Sequence, residues 1–133
     1  MADSAAEVEA VAARFFAAIE AGDVDAIRGI YAPDAVVWHN NDEIEQPVEQ
    51  NLVVLRWVID HVEGWRYEEV RRSAFEGGFV QQHVGKGVAP SGQPFSMPAC
   101  IVGRVHDGRV TRIDEYLDSA AVAALTVRPA RPD

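Results

Sequence analysis

The side chains best suited to moving protons in this sequence are Glu115, His83 and His39. Glu115 lies in the stretch from Gly108 to Asp118, which follows His106 and Asp107. Asp-Gly between two apolar runs signals a tight hairpin, because glycine takes a positive φ without cost. As a strand of period two, the stretch puts Thr111, Ile113, Glu115 and Leu117 on one face. Val110, Arg112, Asp114 and Tyr116 fall on the other, and Asp114 there is read as solvated or part of an interface. A carboxylate between two aliphatic side chains must find a hydrogen-bond partner or keep its proton. It is then either an acid/base group or a structural carboxylate held by an arginine or backbone donors.

His83 shares a strand face with Phe79 and Gln81, so it is either a satisfied core histidine or a general acid/base near its natural pKa. Gln81, His83 and Glu115 together would supply a polar cluster inside an apolar interior. His39 stands at a strand end beside Asn40 and Asn41, as a base or as a loop-edge histidine. Trp38 reads as pocket wall or core. Asn40 would hold a water or a substrate oxygen, or else cap the following turn. Strand parity leaves open whether Trp38 and Asn40, or His39, point inward, since a bulge could decide it. No metal is expected, because His39, His83 and Glu115 lack paired ligand spacing. Gly85-Lys86-Gly87 lies within a strand pattern and is no phosphate loop. Cys100 has nothing basic nearby to favour a thiolate, and reads as a small buried residue.

The elements that must position these groups follow from periodicity. Ser4 and Glu7 have capping-box spacing, and Val8, Val11, Ala12, Phe15 and Ile19 form one helical stripe that Gly22 ends. Asp23 caps a second helix burying Val24, Ile27 and Ile30, stopped by Pro33 and Asp34. A short strand is expected over residues 35–40. The acidic loop 41–47, with Asp42, Glu43 and Glu45, reads as a solvated lid. Val48, Leu52, Leu55, Ile59 and Val62 predict a third helix of about 15 residues. Strands then follow over 65–75, 79–88 and 95–105 before the Glu115 strand. Pro98 predicts an edge or a bulge in the third of these. Residues 119–125 read as a short last helix and 127–133 as a frayed tail. Helices first and antiparallel strands after give an α+β fold with helices on one side of a curved sheet.

The chain has 133 residues, 48% of them apolar and 25% charged, which suits one globular domain over residues 1–133 with a core at about 5–125. Its net charge of −9 opposes phosphate backbones and anionic membranes, so no nucleic-acid partner is expected. One cysteine excludes an intramolecular disulfide. No apolar run approaches the ~20 residues that span a bilayer. The N-terminus lacks a basic start and apolar centre, so a cytoplasmic location is the expectation.

The segments Arg14–Asp23, Tyr31–Val36, Trp38-His39-Asn40 and Asp107–Asp118 resemble the nuclear transport factor 2-like superfamily, within it the SnoaL-like (polyketide-cyclase-like) group. The resemblance spans roughly residues 5 to 125. It implies a cone: a curved antiparallel sheet and three helices of the N-terminal half, enclosing an apolar pocket. It also implies a homodimer through the outer sheet face. The fold hosts isomerases, dehydratases, epoxide hydrolases, cyclases and binding proteins, so it does not specify a reaction. Against the ketosteroid isomerases, whose chemistry needs an Asp base and a Tyr–Asp oxyanion hole, Phe15 stands at the Tyr, His39 at the base and Cys100 near the protonated Asp. Against limonene-epoxide-hydrolase-like relatives, Trp38 and Asn40 stand at the water-holding Tyr and Asn, and Glu115 at the last Asp. Their Arg-x-Asp segment has no counterpart around Gln81-Gln82-His83. The SnoaL-type cyclases place an acid/base Asp on the last strand, where Glu115 fits.

Residues and resemblance together predict a cofactor-independent acid/base enzyme acting on an apolar, oxygen-bearing small molecule, of isomerase, dehydratase, cyclase or hydrolase type. Glu115, His83 and His39 would move protons, while Trp38, Asn40, Phe15 and Gln81 would hold the substrate. The alternative is a non-catalytic small-molecule-binding or protein-docking module.

Overall fold

The computed structural model describes residues 2–126. Helix α1 (Ala5–Ala21) starts where the Ser4 hydroxyl accepts from the Glu7 amide and the Glu7 carboxylate accepts from the Ser4 amide. It ends at Gly22, whose φ of 69° is left-handed and suits glycine. Its stripe of Val8, Val11, Ala12, Phe15 and Ile19 is buried, joined by Phe16. Helix α2 (Val24–Ile30) is capped by the Asp23 carboxylate, and the chain turns directly into strand β1 (Tyr31–His39). That strand starts earlier than expected, because Tyr31 is pulled inward as a core residue against Phe15. A strand of three residues, β2 (Glu45–Pro47), follows in what reads from sequence as a loop. Helix α3 (Val48–His61) leads to β3 (Glu63–Phe75), β4 (Gly78–Val88), β5 (Pro94–His106) and β6 (Arg109–Leu117). The short helix α4 (Ser119–Leu125) matches the expectation for that segment, while the tail 127–133 lies outside the described residues.

The six strands form one curved, unclosed sheet in the order β2-β1-β6-β5-β4-β3. The fold is α+β as expected, but the sheet is mixed rather than wholly antiparallel. β1 enters beside β6 and runs parallel to it. Hairpin signals report only strands adjacent in sequence, and β1 is separated from β6 by most of the chain. The parallel pairing fixes the register that matters below, with Val37 opposite Ile113, Trp38 opposite Asp114 and His39 opposite Glu115.

Two details of β5 and β6 depart from simple alternation. Arg104 pairs with Arg112 but Val105 pairs with Val110, leaving Thr111 as an extra residue. This bulge flips the parity, so Val110, expected on the outer face, is fully buried in the core with Ile113. Pro98 is not on an edge strand, since β5 lies between β4 and β6. The β5–β6 ladder ends at Ala99 opposite Leu117, and the Pro98 carbonyl accepts from the Asp118 amide just beyond it. In a strand the N and C=O of one residue point the same way. The proline nitrogen therefore faces the side where β6 has stopped, and no ladder donor is lost.

Helix α1 lies across β3 and β4, and α3 covers β1, so one face of the sheet is lined by Phe15, Phe16, Tyr31, Val37, Phe79 and Ile101. A second cluster of Val62, Ala89, Phe95, Met97 and Leu125 closes the end where α4 docks. Between the two clusters the interior is not filled.

Candidate functional site

The parallel pairing of β1 and β6 brings two of the expected proton-moving groups together. His39 Nε2 donates to Glu115 Oε1 at 3.0 Å, and the two side chains are 15% and 14% exposed. Burial opposes a charge on His39, yet the hydrogen bond to Glu115 and the charges of Glu115 and Asp42 outweigh it. The imidazole pKa is therefore raised above its ordinary value. The parity question is thus settled in favour of His39 pointing inward.

This pair stands at the wall of a cavity of about 200 Å³. Apolar walls come from Leu55, Val58, Met97, Leu117 and Val122, and polar positions from Gln46, Asn51, Trp65 and Tyr67. Asn41 and Asp42, from the loop expected to act as a lid, also line it. Beyond them Ile44 is exposed and Glu45 reaches the outer face, where it pairs with Arg112. Tyr31 donates its hydroxyl proton to Asn51 Oδ1 at 2.9 Å. Burial first, and the Glu115 charge second, push the Tyr31 and Tyr67 pKa values far upward, so both remain phenols at any working pH. Two buried polar atoms of cavity-lining residues, Gln46 Oε1 and Trp65 Nε1, make no close hydrogen bond among the described protein groups, although the Trp65 N–H is near enough to the Tyr67 phenol to favour its ionised form slightly. Such atoms cost free energy unless something bonds to them. A ligand hydroxyl would donate to Gln46 Oε1, and a ligand oxygen would accept from Trp65 Nε1–H.

His83 is buried on the same sheet face, flanked by Phe16 and by Tyr67, whose ring centroid is 4.5 Å away. Burial lowers its pKa, and the Glu115 charge opposes that only in part. Its Nδ1 accepts from Gln81 Nε2 at 2.9 Å. Gln81 itself is completely buried, and its Oε1 accepts from Arg72 Nη1 at 2.7 Å. Both ends of that amide are therefore engaged, and neither Gln81 nor His83 is among the residues that line the cavity.

The remaining expected substrate contacts are placed elsewhere. Trp38 lies on the outer sheet face, edge-on to Tyr116 with centroids 5.3 Å apart, because its neighbour His39 takes the inward position. Asn40 prolongs the β1–β6 pairing: its side-chain amide donates to the Leu117 carbonyl at 3.2 Å and its side-chain oxygen accepts from the Leu117 amide at 2.9 Å. That arrangement is structural, but it ties β1 to the end of β6 instead of capping the following turn as expected, and it engages both ends of the amide. Phe15 packs in the core between Phe16 and Tyr31. Cys100, expected to be buried, is only half-buried, because it lies opposite Tyr116 on the outer face, away from the cavity. Among the described residues no three His, Cys, Asp or Glu side chains converge as metal ligands would. No helix there is long and apolar enough to cross a membrane.

Sequence reasoning missed Tyr31, Gln46, Asn51, Trp65 and Tyr67. Trp65 and Tyr67 alternate along β3 and carry a visible signal, two aromatics at period two on one face. Tyr31 hides at a helix-to-strand junction. Gln46 and Asn51 carry no signal, since their inward position depends on the three-residue strand β2 and the angle at which α3 leaves it.

A family model described as a SnoaL-like domain matches residues 12–113. Several solved structures are similar over nearly the whole chain. One is a candidate polyketide cyclase from Xanthomonas campestris pv. campestris, at 18% identity and TM-score 0.79, covering 93% of this chain and 100% of that one. A nuclear transport factor 2-like protein from Burkholderia xenovorans LB400 matches at 22% identity and TM-score 0.78, over 93% and 98% of the two chains. IdmH, a candidate polyketide cyclase from Streptomyces antibioticus, matches at 22% and 0.76, over 90% and 98%. At these identities the likeness is one of fold. No curated protein matches the sequence.

Proposed function

The chain belongs to the SnoaL-like domain family, and from that premise we propose that it is a cofactor-independent acid/base enzyme acting on an apolar, oxygen-bearing small molecule. The observation that carries this reading is the His39–Glu115 contact of 3.0 Å on the wall of an otherwise largely apolar cavity. Paired groups of opposite charge preference, held out of bulk water, exchange protons efficiently near neutral pH. With its proton on His39, the pair presents a carboxylate that can take a proton from the substrate. The proton returns at another position in an isomerization, or to a departing hydroxyl in a dehydration. Trp65 Nε1–H is suited to donate to a substrate oxygen while this happens, and Gln46 Oε1 to accept from a substrate hydroxyl. The volume of about 200 Å³ suits a ligand of one or two fused rings.

A homodimer through the outer sheet face belongs to the same reading. Tyr116 and Val70 are exposed there, and light scattering would report the assembly.

The test is a thermal-shift screen of small oxygenated terpenoid, polyketide-like and epoxide ligands against wild type and Glu115→Gln, followed by assays on the hits. A native-state ligand raises the melting temperature by mass action. A hit whose turnover shows a bell-shaped pH profile, lost in Glu115→Gln, supports the enzyme. Hits bound equally by both proteins, with no turnover, would make this a binding module instead.

A further inference from the structure

We infer that Arg72 and Gln81 are positioning residues that hold His83 in its Nε2–H tautomer, so that His83 offers a fixed N–H donor to a substrate oxygen instead of exchanging protons. A chain of four side chains runs from the surface inward. Glu9 receives Arg72 in a forked ion pair, with contacts of 2.7 to 3.1 Å. Arg72 Nη1 then bonds Gln81 at 2.7 Å, and Gln81 bonds His83 Nδ1 at 2.9 Å.

The directions in this chain are forced by chemistry. A guanidinium has donors only, so the Gln81 atom facing it must be the oxygen. The other end of the amide is then NH₂, which can only donate, so Nδ1 of His83 must offer its lone pair. A neutral imidazole with a bare Nδ1 carries its proton on Nε2. Protonating Nδ1 would set two donors against each other, and Gln81 cannot turn over without facing its NH₂ to Arg72.

The proton thus placed is a buried donor. Nε2 of His83 has no acceptor among the described protein groups, although the residue is 4% exposed. His83 does not itself line the cavity; it stands against Tyr67, which does, so a substrate oxygen reaches Nε2–H where the Tyr67 ring gives way, and the Glu115 charge acts on both side chains. An N–H fixed in the same interior as the carboxylate is suited to a carbonyl or hydroxyl oxygen whose charge grows as Glu115 takes a proton. This assignment rests on the acid/base reading for the existence of a substrate, but its test is independent of the His39–Glu115 pair.

The experiment is a long-range ¹H–¹⁵N spectrum of the histidine rings, which distinguishes protonated from bare ring nitrogens, in wild type and Gln81→Glu. The expected wild-type result is a single His83 tautomer with the proton on Nε2 across neutral pH. In Gln81→Glu the same-shaped carboxylate keeps the Arg72 bond but accepts from Nδ1, so the proton should move there. Gln81→Met, which neither donates nor accepts, should give mixed tautomers and serves if Gln81→Glu does not fold.

The donor role is read with 1-tetralone and tetralin, two bicyclic ligands differing in one carbonyl. Tetralone should shift the His83 Hε2 resonance and tetralin should not. Tetralone affinity should fall about fivefold or more in Gln81→Glu, the worth of one neutral hydrogen bond. A wild-type proton on Nδ1, or an unchanged tautomer in Gln81→Glu, overturns the positioning role. An Hε2 resonance unmoved by saturating tetralone overturns the donor role. Failure of the acid/base reading would show elsewhere, in a pH profile insensitive to Glu115→Gln.

Discussion

His39 and Glu115 face each other from neighbouring parallel strands, two residues beyond the buried pair Val37 and Ile113, with Nε2 and Oε1 3.0 Å apart. Their contact is where the sheet core ends and the cavity begins. It also makes a pH-dependent contribution to stability. The pKa of His39 is raised in the folded state, so the folded protein binds the proton more tightly than the unfolded chain. The contribution is therefore complete below the ordinary histidine pKa of about 6.5 and is lost as pH rises through the folded value. Replacing Glu115 by Gln should remove it, costing about 2 kcal/mol at about pH 6, the worth of a charge-assisted bond, and less at alkaline pH. Urea unfolding of both proteins across this range checks the sign. A parallel NMR titration should show the His39 pKa falling in the variant. A stability gap that widens with pH would contradict the assignment.

The two tryptophans divide the molecule by face. Trp65 Nε1–H is a buried donor on the cavity wall, whereas Trp38 packs on Tyr116 on the opposite side of the sheet. Trp65→Phe should weaken an oxygenated cavity ligand by about fivefold to tenfold, one hydrogen bond's worth. Trp38→Phe should leave its affinity within about twofold. Isothermal titration with any ligand from the thermal-shift screen decides it, and equal losses in both variants would move the ligand site away from the cavity.

How far the sequence reaches can be seen at three residues. Phe15 is buried as its helical spacing requires, because an apolar stripe is a local pattern and a helix reports it faithfully. The inward turn of His39 was not legible. It depends on β1 lying parallel to β6, a pairing between segments about 75 residues apart that leaves no hairpin signature. Val110 was misplaced because the bulge at Thr111 shifts the parity of β6, and a one-residue slip exchanges the faces. The same physics explains the site. Glu115 was legible from its aliphatic neighbours on its own strand, while Gln46 and Asn51 become inward-facing only through tertiary placement of β2 and α3.

Asp3 ties the N-terminal segment to the far end of the sheet. Its buried carboxylate accepts from the Asp107 and Gly108 amides at 2.9 and 2.7 Å, and its carbonyl accepts from the Gly77 amide. Asp107 and Gly108 both have positive φ in the β5–β6 turn, so their amides converge on one acceptor. Asp3→Ala removes that acceptor and leaves two turn donors short of partners, at a cost of about 2–3 kcal/mol. Thermal unfolding should show the loss. Because the turn lies at the opposite end of β6 from Glu115, ligand affinity should be unchanged.

Gly103 shows where the core tolerates nothing larger than hydrogen. It pairs with Phe79 across β4 and β5, and a Cβ built on it would lie 2.3 Å from the Phe79 ring. The ring is completely buried and in edge contact with Phe16, so it has nowhere to retreat. The absence of a side chain at Gly103 is what lets the ring lie flat over the strand. Gly103→Ala must displace the ring or spread the strands, and overpacking of this kind costs about 3 kcal/mol. Phe79→Leu alone should also destabilise, by about 1–2 kcal/mol, through lost ring contacts. The double variant discriminates the mechanism. If steric conflict with the ring is the cause, the smaller leucine side chain makes room, and the double variant should be more stable than Gly103→Ala alone. Strict additivity of the two losses in chemical denaturation would place the cost in the backbone of β5 instead.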